Sequence, residues 1–208
     1  MVSKKFKLAV LVSGRGSNLQ AIIDSIENND LAAEVSVVLS NVKDAYALER
    51  GKKHGLEVVF LDPKVYPDKA DYEQKMIELL QSKSVDLICL AGFMRILGKR
   101  FIQAFSGKII NIHPSLLPAF PGLHVQKRAL EHGVKFSGCT VHFVNEEVDG
   151  GEIIIQAVVP VQDDDDTESL SKRILEQEHI IYPEAIRLII ERKIEISGRR
   201  VLRNNKGN

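Results

Sequence analysis

Four short apolar runs, separated by amphipathic stretches, occupy the first hundred residues, and this alternation leaves the chain few architectures to choose from. Residues 7–13, 35–39, 58–61 and 86–90 are too short for buried helices, and their nearly continuous apolar character suits strands covered on both faces. Between the first two, Leu19, Ile22, Ile23 and Ile26 are spaced for one stripe of a helix that begins near Asn18. Asp44 is placed to cap a second helix that runs through Arg50 and stops near His54 and Gly55. Asp68 or Asp71 opens a third, with Tyr72, Met76, Leu79 and Leu80 on one face. Right-handed crossovers then give an α/β chain with a mostly parallel, twisted sheet, helices on both faces and a Rossmann-like amino-terminal half.

The second half reads differently. A helix over 122–132 stops at Gly133, and strands over 139–144 and 152–161 flank the turn Asp149-Gly150-Gly151, which adds antiparallel pairing. A long amphipathic helix over 167–192 contains Pro183, which should kink or divide it. The basic tail from Arg199 reads as a solvated end. Neither a repeat nor a low-complexity linker interrupts the sequence, so 1–208 is expected to be a single domain with a soft division near residue 100. A chain of this length buries roughly 70% of its unfolded surface and needs no staple. Only Cys89 and Cys139 are present, which excludes a disulfide framework and a CxxC site. Charges balance at 28 basic against 28 acidic residues, which argues against nucleic-acid or membrane partners and for small molecules. With no signal-peptide pattern and no membrane-length apolar run, the chain reads as cytoplasmic.

Chemistry concentrates in Ile109-Ile110-Asn111-Ile112-His113-Pro114, where a buried strand runs out into a polar site and a proline-stiffened loop. Asn111 and His113 are two apart and share a face, so an amide donor and an imidazole can address one substrate atom. The plainer alternative is that both merely cap the strand end. Asp149, if the fold brings it close, favours a charged imidazole, and an imidazolium beside a carboxamide suits negative charge developing on a carbonyl oxygen. That chemistry is acyl or formyl transfer. Ser17 and Ser115 lie in no Gly-x-Ser-x-Gly elbow, which argues against a covalent serine route.

The loop Ser13-Gly14-Arg15-Gly16-Ser17-Asn18 joins the first strand to its helix and can offer amides to an anion. It fails as a dinucleotide fingerprint, because Leu19 replaces the third glycine and the second strand ends in Ser40-Asn41 instead of an acidic residue. A single phosphate on a small substrate fits better, although Ser17 or Asn18 could also serve simply as the helix N-cap. His54, His124, His132, His142 and His179 lack metal-ligand spacing and read as surface or hydrogen-bonded residues; no metal is expected. The acidic run 163–166 lacks the pattern of a calcium loop and reads as a solvated turn before the long helix.

Ser13-Gly-x-Gly-Ser-Asn18, Leu90-Ala-Gly-Phe-Met-Arg-Ile-Leu97, Asn111-Ile-His-Pro-Ser-Leu-Leu-Pro118, Val141-His-Phe143 and Asp149-Gly-Gly151 together closely resemble the glycinamide ribonucleotide transformylase family of folate-dependent formyltransferases. The resemblance covers essentially the whole chain in order and implies the formyltransferase fold. It implies that the amine of glycinamide ribonucleotide attacks the formyl carbon of 10-formyltetrahydrofolate, a co-substrate, with no tightly bound cofactor. Asn111, His113 and Asp149 match the catalytic trio. Gly16, Ser17, Asn18 and Glu178 match the ribonucleotide contacts. Met94, Arg95, Ile96, Leu97, Asn111, Val144 and Asp149 match the folate pocket, and Lys69 stands near a basic contact for the folate tail. Residues 1–100 thereby become the nucleotide-substrate half and 101–208 the folate and catalytic half. Leu175 departs from the family where a polar substrate contact is expected. A monomer or weak homodimer is expected.

Three rivals share parts of this pattern. A methionyl-tRNA formyltransferase should carry an extra nucleic-acid-binding region and a basic face. A formyltetrahydrofolate hydrolase usually adds an amino-terminal module, whereas the first strand here begins close to Met1. A non-catalytic binding module would keep the Gly-Ser-Asn loop without needing Asn111, His113 and Asp149 together.

Overall fold

The computed structural model describes residues 5–204 and divides into two compact units, one up to Ile110 and one from Asn111. In the first unit, β1 (Phe6–Val12), β2 (Ala33–Ser40), β3 (Val58–Phe60) and β4 (Leu87–Leu90) alternate with α1 (Ser17–Glu27), α2 (Tyr46–Lys53) and α3 (Lys69–Ser82). The strand order is β3-β2-β1-β4, with β1 parallel to both neighbours through pairs such as Leu11↔Leu39 and Leu11↔Leu90. Leu8 to Val12 are wholly buried, as a strand covered on both faces requires. Helix α1 buries Leu19 and Ile22, and α3 buries Tyr72, Met76, Ile77 and Leu80, with Ile77 taking the place expected for Leu79. Asp68 caps α3 by accepting from the Asp71 amide at 2.9 Å. Asp44 does not cap α2, whose N-cap is Ala45 without a side-chain bond. A short helix, α4 (Lys99–Ala104), is too brief to give a readable period and buries Phe101 and Ile102.

Strand β5 (Ile109–His113) carries the division, and Asn111 opens the second unit. There α5 (Val125–Glu131), β6 (Phe136–Phe143), β7 (Ile153–Pro160), α6 (Thr167–Ile190), β8 (Ile194–Ser197) and β9 (Arg200–Arg203) follow. β6 and β7 pair antiparallel as expected, with a register shift between Val141 and His142. The order is β6-β7-β9-β8. Parallel pairing prevails across the nine strands, with antiparallel pairs at β6–β7 and β8–β9.

Further expectations are revised. Helix α5 begins at Val125, not Gly122, because Gly122 and His124 have positive φ, which no right-handed helix includes. Of the two outcomes expected at Pro183, division is excluded, because α6 runs through it as one helix. The missing N–H costs about 3 kcal/mol. Burial of Ile181, Tyr182 and Ile186 around it contributes about 1.5–3 kcal/mol each, which outweighs that loss. The tail is not simply a solvated end: Arg200 to Arg203 pair with β8 around Gly198, whose φ of +60° suits the turn.

Candidate active site

In the second unit, β5 delivers Asn111 and His113 to one face at its carboxyl end. His113 is buried, with Nδ1 3.4 Å from Asp149 Oδ2 and Nε2 3.0 Å from the Phe120 carbonyl oxygen. Both ring nitrogens therefore face acceptors, an arrangement that an imidazolium satisfies by donating from each. Asp149 Oδ2 also accepts from the Gly122 amide at 2.8 Å, so one carboxylate holds both the ring and the loop that carries Phe120. Asp149 reaches this position with φ +54°, a left-handed conformation that aspartate tolerates better than most residues. Gly151 is needed for space, since a Cβ there would run into the Phe143 carbonyl.

His142 joins this group, although its sequence context alone suggests only a satisfied or surface histidine. It is 2% exposed, with Nδ1 2.7 Å from the Phe143 carbonyl, Nε2 3.3 Å from Asn111 Nδ2 and Nε2 3.7 Å from Asp149 Oδ1. Burial pushes its pKa below the ordinary value of 6.5, against smaller raising effects of the Phe143 carbonyl and Asp149. The available signal is Thr140 and His142 standing two apart between apolar neighbours, the same spacing as Asn111 and His113.

Thr140 braces the proline-rich loop. Its hydroxyl donates to the Ser115 carbonyl at 2.6 Å and accepts from the Leu117 amide at 3.1 Å and Gln156 Nε2 at 3.0 Å. Ser115 is buried, and its hydroxyl donates to the Ala119 carbonyl, which leaves it unsuited to act as a nucleophile. Val144 follows β6 and is half-buried. Glu178 is buried on α6, with half-buried Leu175 one turn before it.

In the first unit, residues 13–18 lead from β1 into α1. Gly16, at φ +71°, is the N-cap, so neither Ser17 nor Asn18 fills that position, and no side chain caps the helix. The amides of a helix's first turn point out of its amino-terminal end, where an anion can be received. A Cβ on Gly16 would lie 2.6 Å from Ala47 Cβ, so the loop packs directly on α2. Ala47 donates its amide to Gly14 and Arg50 donates Nε to the Arg15 carbonyl, at 3.0 and 2.9 Å.

Residues 94–97 are tied beside that loop: the Met94 amide donates to Ser13 Oγ at 2.8 Å, and Ser13 Oγ donates to Asn41 Oδ1 at 2.6 Å. Met94 and Ile96 are both 68% exposed, which is unusual for core-type side chains and leaves an apolar edge open, while Leu97 is buried. The Arg95 guanidinium lies 5.0 Å from the Tyr72 ring centroid. Lys69 is half-exposed and pairs with Glu73 at 3.5 Å, and Glu73 also accepts from the Gly98 amide. Among the described residues no cluster of three or more histidine, cysteine or acidic side chains could hold a metal, and no helix is long and apolar enough to cross a membrane.

Residues 6–186 match the formyl transferase family. The chain is 47% identical over 191 residues to the phosphoribosylglycinamide formyltransferase of Haemophilus influenzae, covering 91% of this chain and 90% of that protein. It is also 47% identical over 193 residues to the trifunctional purine biosynthetic protein adenosine-3 of Drosophila melanogaster, covering 91% of this chain but only 14% of that longer protein. Among solved structures, glycinamide ribonucleotide transformylase 1 from Symbiobacterium toebii superposes with a TM-score of 0.94 at 51% identity, covering 96% of this chain and 94% of that one.

Proposed function

The chain belongs to the formyl transferase family, and on that premise we propose that it moves the formyl group of 10-formyltetrahydrofolate to the amine of glycinamide ribonucleotide, a step of purine biosynthesis. The observation that carries this reading is His113 held between Asp149 Oδ2 and the Phe120 carbonyl, with Asn111 on the same strand face.

The amine nitrogen attacks the formyl carbon, and the carbonyl π pair moves onto oxygen. Asn111 Nδ2–H and the His113 imidazolium donate to that oxyanion, a contact that strengthens as charge develops. For His113 Nε2 to reach it, the Phe120 carbonyl must yield its place to the substrate oxygen. The attacking amine loses a proton through a water ordered by Asp149. The carbon–N10 bond then breaks, N10 takes up a proton, and tetrahydrofolate and the formylated ribonucleotide result. No bond to the protein forms.

For the substrates, the amides of Gly16, Ser17 and Asn18 receive the phosphate, and Glu178 receives a polar group of the ribonucleotide. Backbone at Met94, Arg95, Ile96 and Leu97 and the segment from Val144 to Asp149 line the pterin. Lys69 meets the folate tail only by sharing its charge with Glu73. The folate is consumed and replaced in each turnover, so it is a co-substrate and not a resident cofactor.

Incubation with 10-formyltetrahydrofolate, with and without glycinamide ribonucleotide, tests the reading. Tetrahydrofolate and formylated ribonucleotide should form one to one, and only when both substrates are present. Formate release without ribonucleotide would make the chain a hydrolase, and no consumption in either case would leave a binding module.

A further inference from the structure

We propose that His142, held as its neutral Nδ1–H tautomer by the Phe143 carbonyl, is a positioning residue that turns the Asn111 carboxamide so that its N–H bonds face the reacting oxygen. The inference rests on the formyl-transfer reading of Asn111.

A carbonyl oxygen can only accept, so the 2.7 Å contact between His142 Nδ1 and the Phe143 oxygen places a proton on Nδ1. In the neutral ring, Nε2 is then a bare acceptor. The side-chain atom that meets it, at 3.3 Å, must be the nitrogen of Asn111 and not its oxygen. Of the two amide hydrogens, one is committed to His142 and the other is left for the substrate. An Asn111 turned the opposite way would present a carbonyl oxygen to a developing oxyanion and repel it.

The surroundings keep the ring neutral. His142 is 2% exposed, and the charged groups that act on it are Asp149 from the turn after β6, His113 from β5 and Glu152 at the approach to β7. Asp149 would favour protonation, but its Oδ1 lies 3.7 Å away, and its other oxygen is engaged by Gly122 and His113. A protonated His113 would oppose a second cation at His142. The Phe143 carbonyl that selects the tautomer leaves no room for a Cβ at residue 151, so Gly151 permits the same arrangement.

The test combines NMR with two variants. Long-range proton–nitrogen spectra of histidine-labelled protein at pH 7.5, assigned by the signal missing in His142→Gln, should show His142 neutral and protonated on Nδ1. An imidazolium or an Nε2–H tautomer would overturn the proposal, whatever the protein catalyses. His142→Phe removes the acceptor, so the Asn111 side-chain amide should exchange at least about tenfold faster and kcat should fall about 10- to 100-fold, with affinity for a folate analogue changed less than about threefold. His142→Gln keeps an acceptor near Nε2 and should stay within about tenfold of the parent. Equal kcat in the two variants would reduce His142 to packing, and if His142→Phe does not fold, the tautomer and the glutamine variant still decide. Absence of formyl transfer in the parent would overturn the reading of Asn111 but not the tautomer.

Discussion

Thr140→Val replaces one buried hydroxyl by a methyl of nearly the same size, so it removes hydrogen bonds without opening a cavity. Thr140 is wholly buried, and its Oγ1 serves three partners. Gln156 keeps its other bond, to the Leu117 carbonyl at 2.8 Å. The Leu117 amide and the Ser115 carbonyl lose the partner that Thr140 supplies. A buried group left unpaired costs about 1–3 kcal/mol, so the two together predict about 2–6 kcal/mol of destabilisation. For a domain of this size that is a Tm decrease of about 4–24 °C and a sizeable part of total stability. Urea unfolding of the parent, Thr140→Val and Thr140→Ser measures it, and the serine variant should stay within about 1 kcal/mol of the parent because the hydroxyl remains. Turnover should also fall, since the loop from Ser115 to Gly122 presents Phe120 to His113. A Thr140→Val protein within about 0.5 kcal/mol of the parent would refute this account of how the loop is held.

Gly16→Val combines a disfavoured φ of +71° with a Cβ 2.6 Å from Ala47, and isothermal titration should show at least about tenfold weaker ribonucleotide binding with folate binding nearly unchanged. Asp165 is held well below the usual carboxylate range, chiefly by the Arg173 side chain. Its contribution is therefore complete above the unfolded carboxylate value of about 3.9 and is lost as pH falls through the lower folded value. Asp165→Asn should lower Tm by a constant amount from pH 7 to about 5, and the gap to the parent should close under more acid conditions. Cys139 is wholly buried, and burial pushes its thiol up to about 12, so an alkylating reagent at pH 8 should label it only after unfolding, as read by intact mass.

Where the sequence could be read, a period decided it. Continuous apolar runs identified β1, β2 and β4 because strands covered on both faces tolerate little else. Asn111 and His113 were visible as a site because polar residues two apart interrupt such a run. His142, Thr140 and Gln156 depend on cross-strand pairing instead. Thr140 faces Gln156 across β6–β7, and the shift after Val141 sets His142 against Ile153, neither of which a single strand's pattern encodes. The start of α5 is not legible because Gly122 and His124 look compatible with a helix until the Gly122 amide is bound by Asp149 and both residues take positive φ. Strands β8 and β9 are not legible because four-residue strands flanked by basic residues look like a frayed end until they find each other.

The central claim is that His113, oriented by Asp149, stabilises charge on the formyl oxygen during direct transfer to the ribonucleotide amine. A single-turnover experiment with formyl-labelled 10-formyltetrahydrofolate, comparing the parent with His113→Ala, tests it most directly when circular dichroism confirms folding and intact mass follows the protein. The chemical step should slow about 10²- to 10⁴-fold in the variant, both ligands should bind within a few-fold of the parent, and no label should appear on the protein at any time. A folded His113→Ala protein that transfers formyl at nearly the parental rate, or a labelled protein adduct that forms and decays at the rate of turnover, would contradict the account.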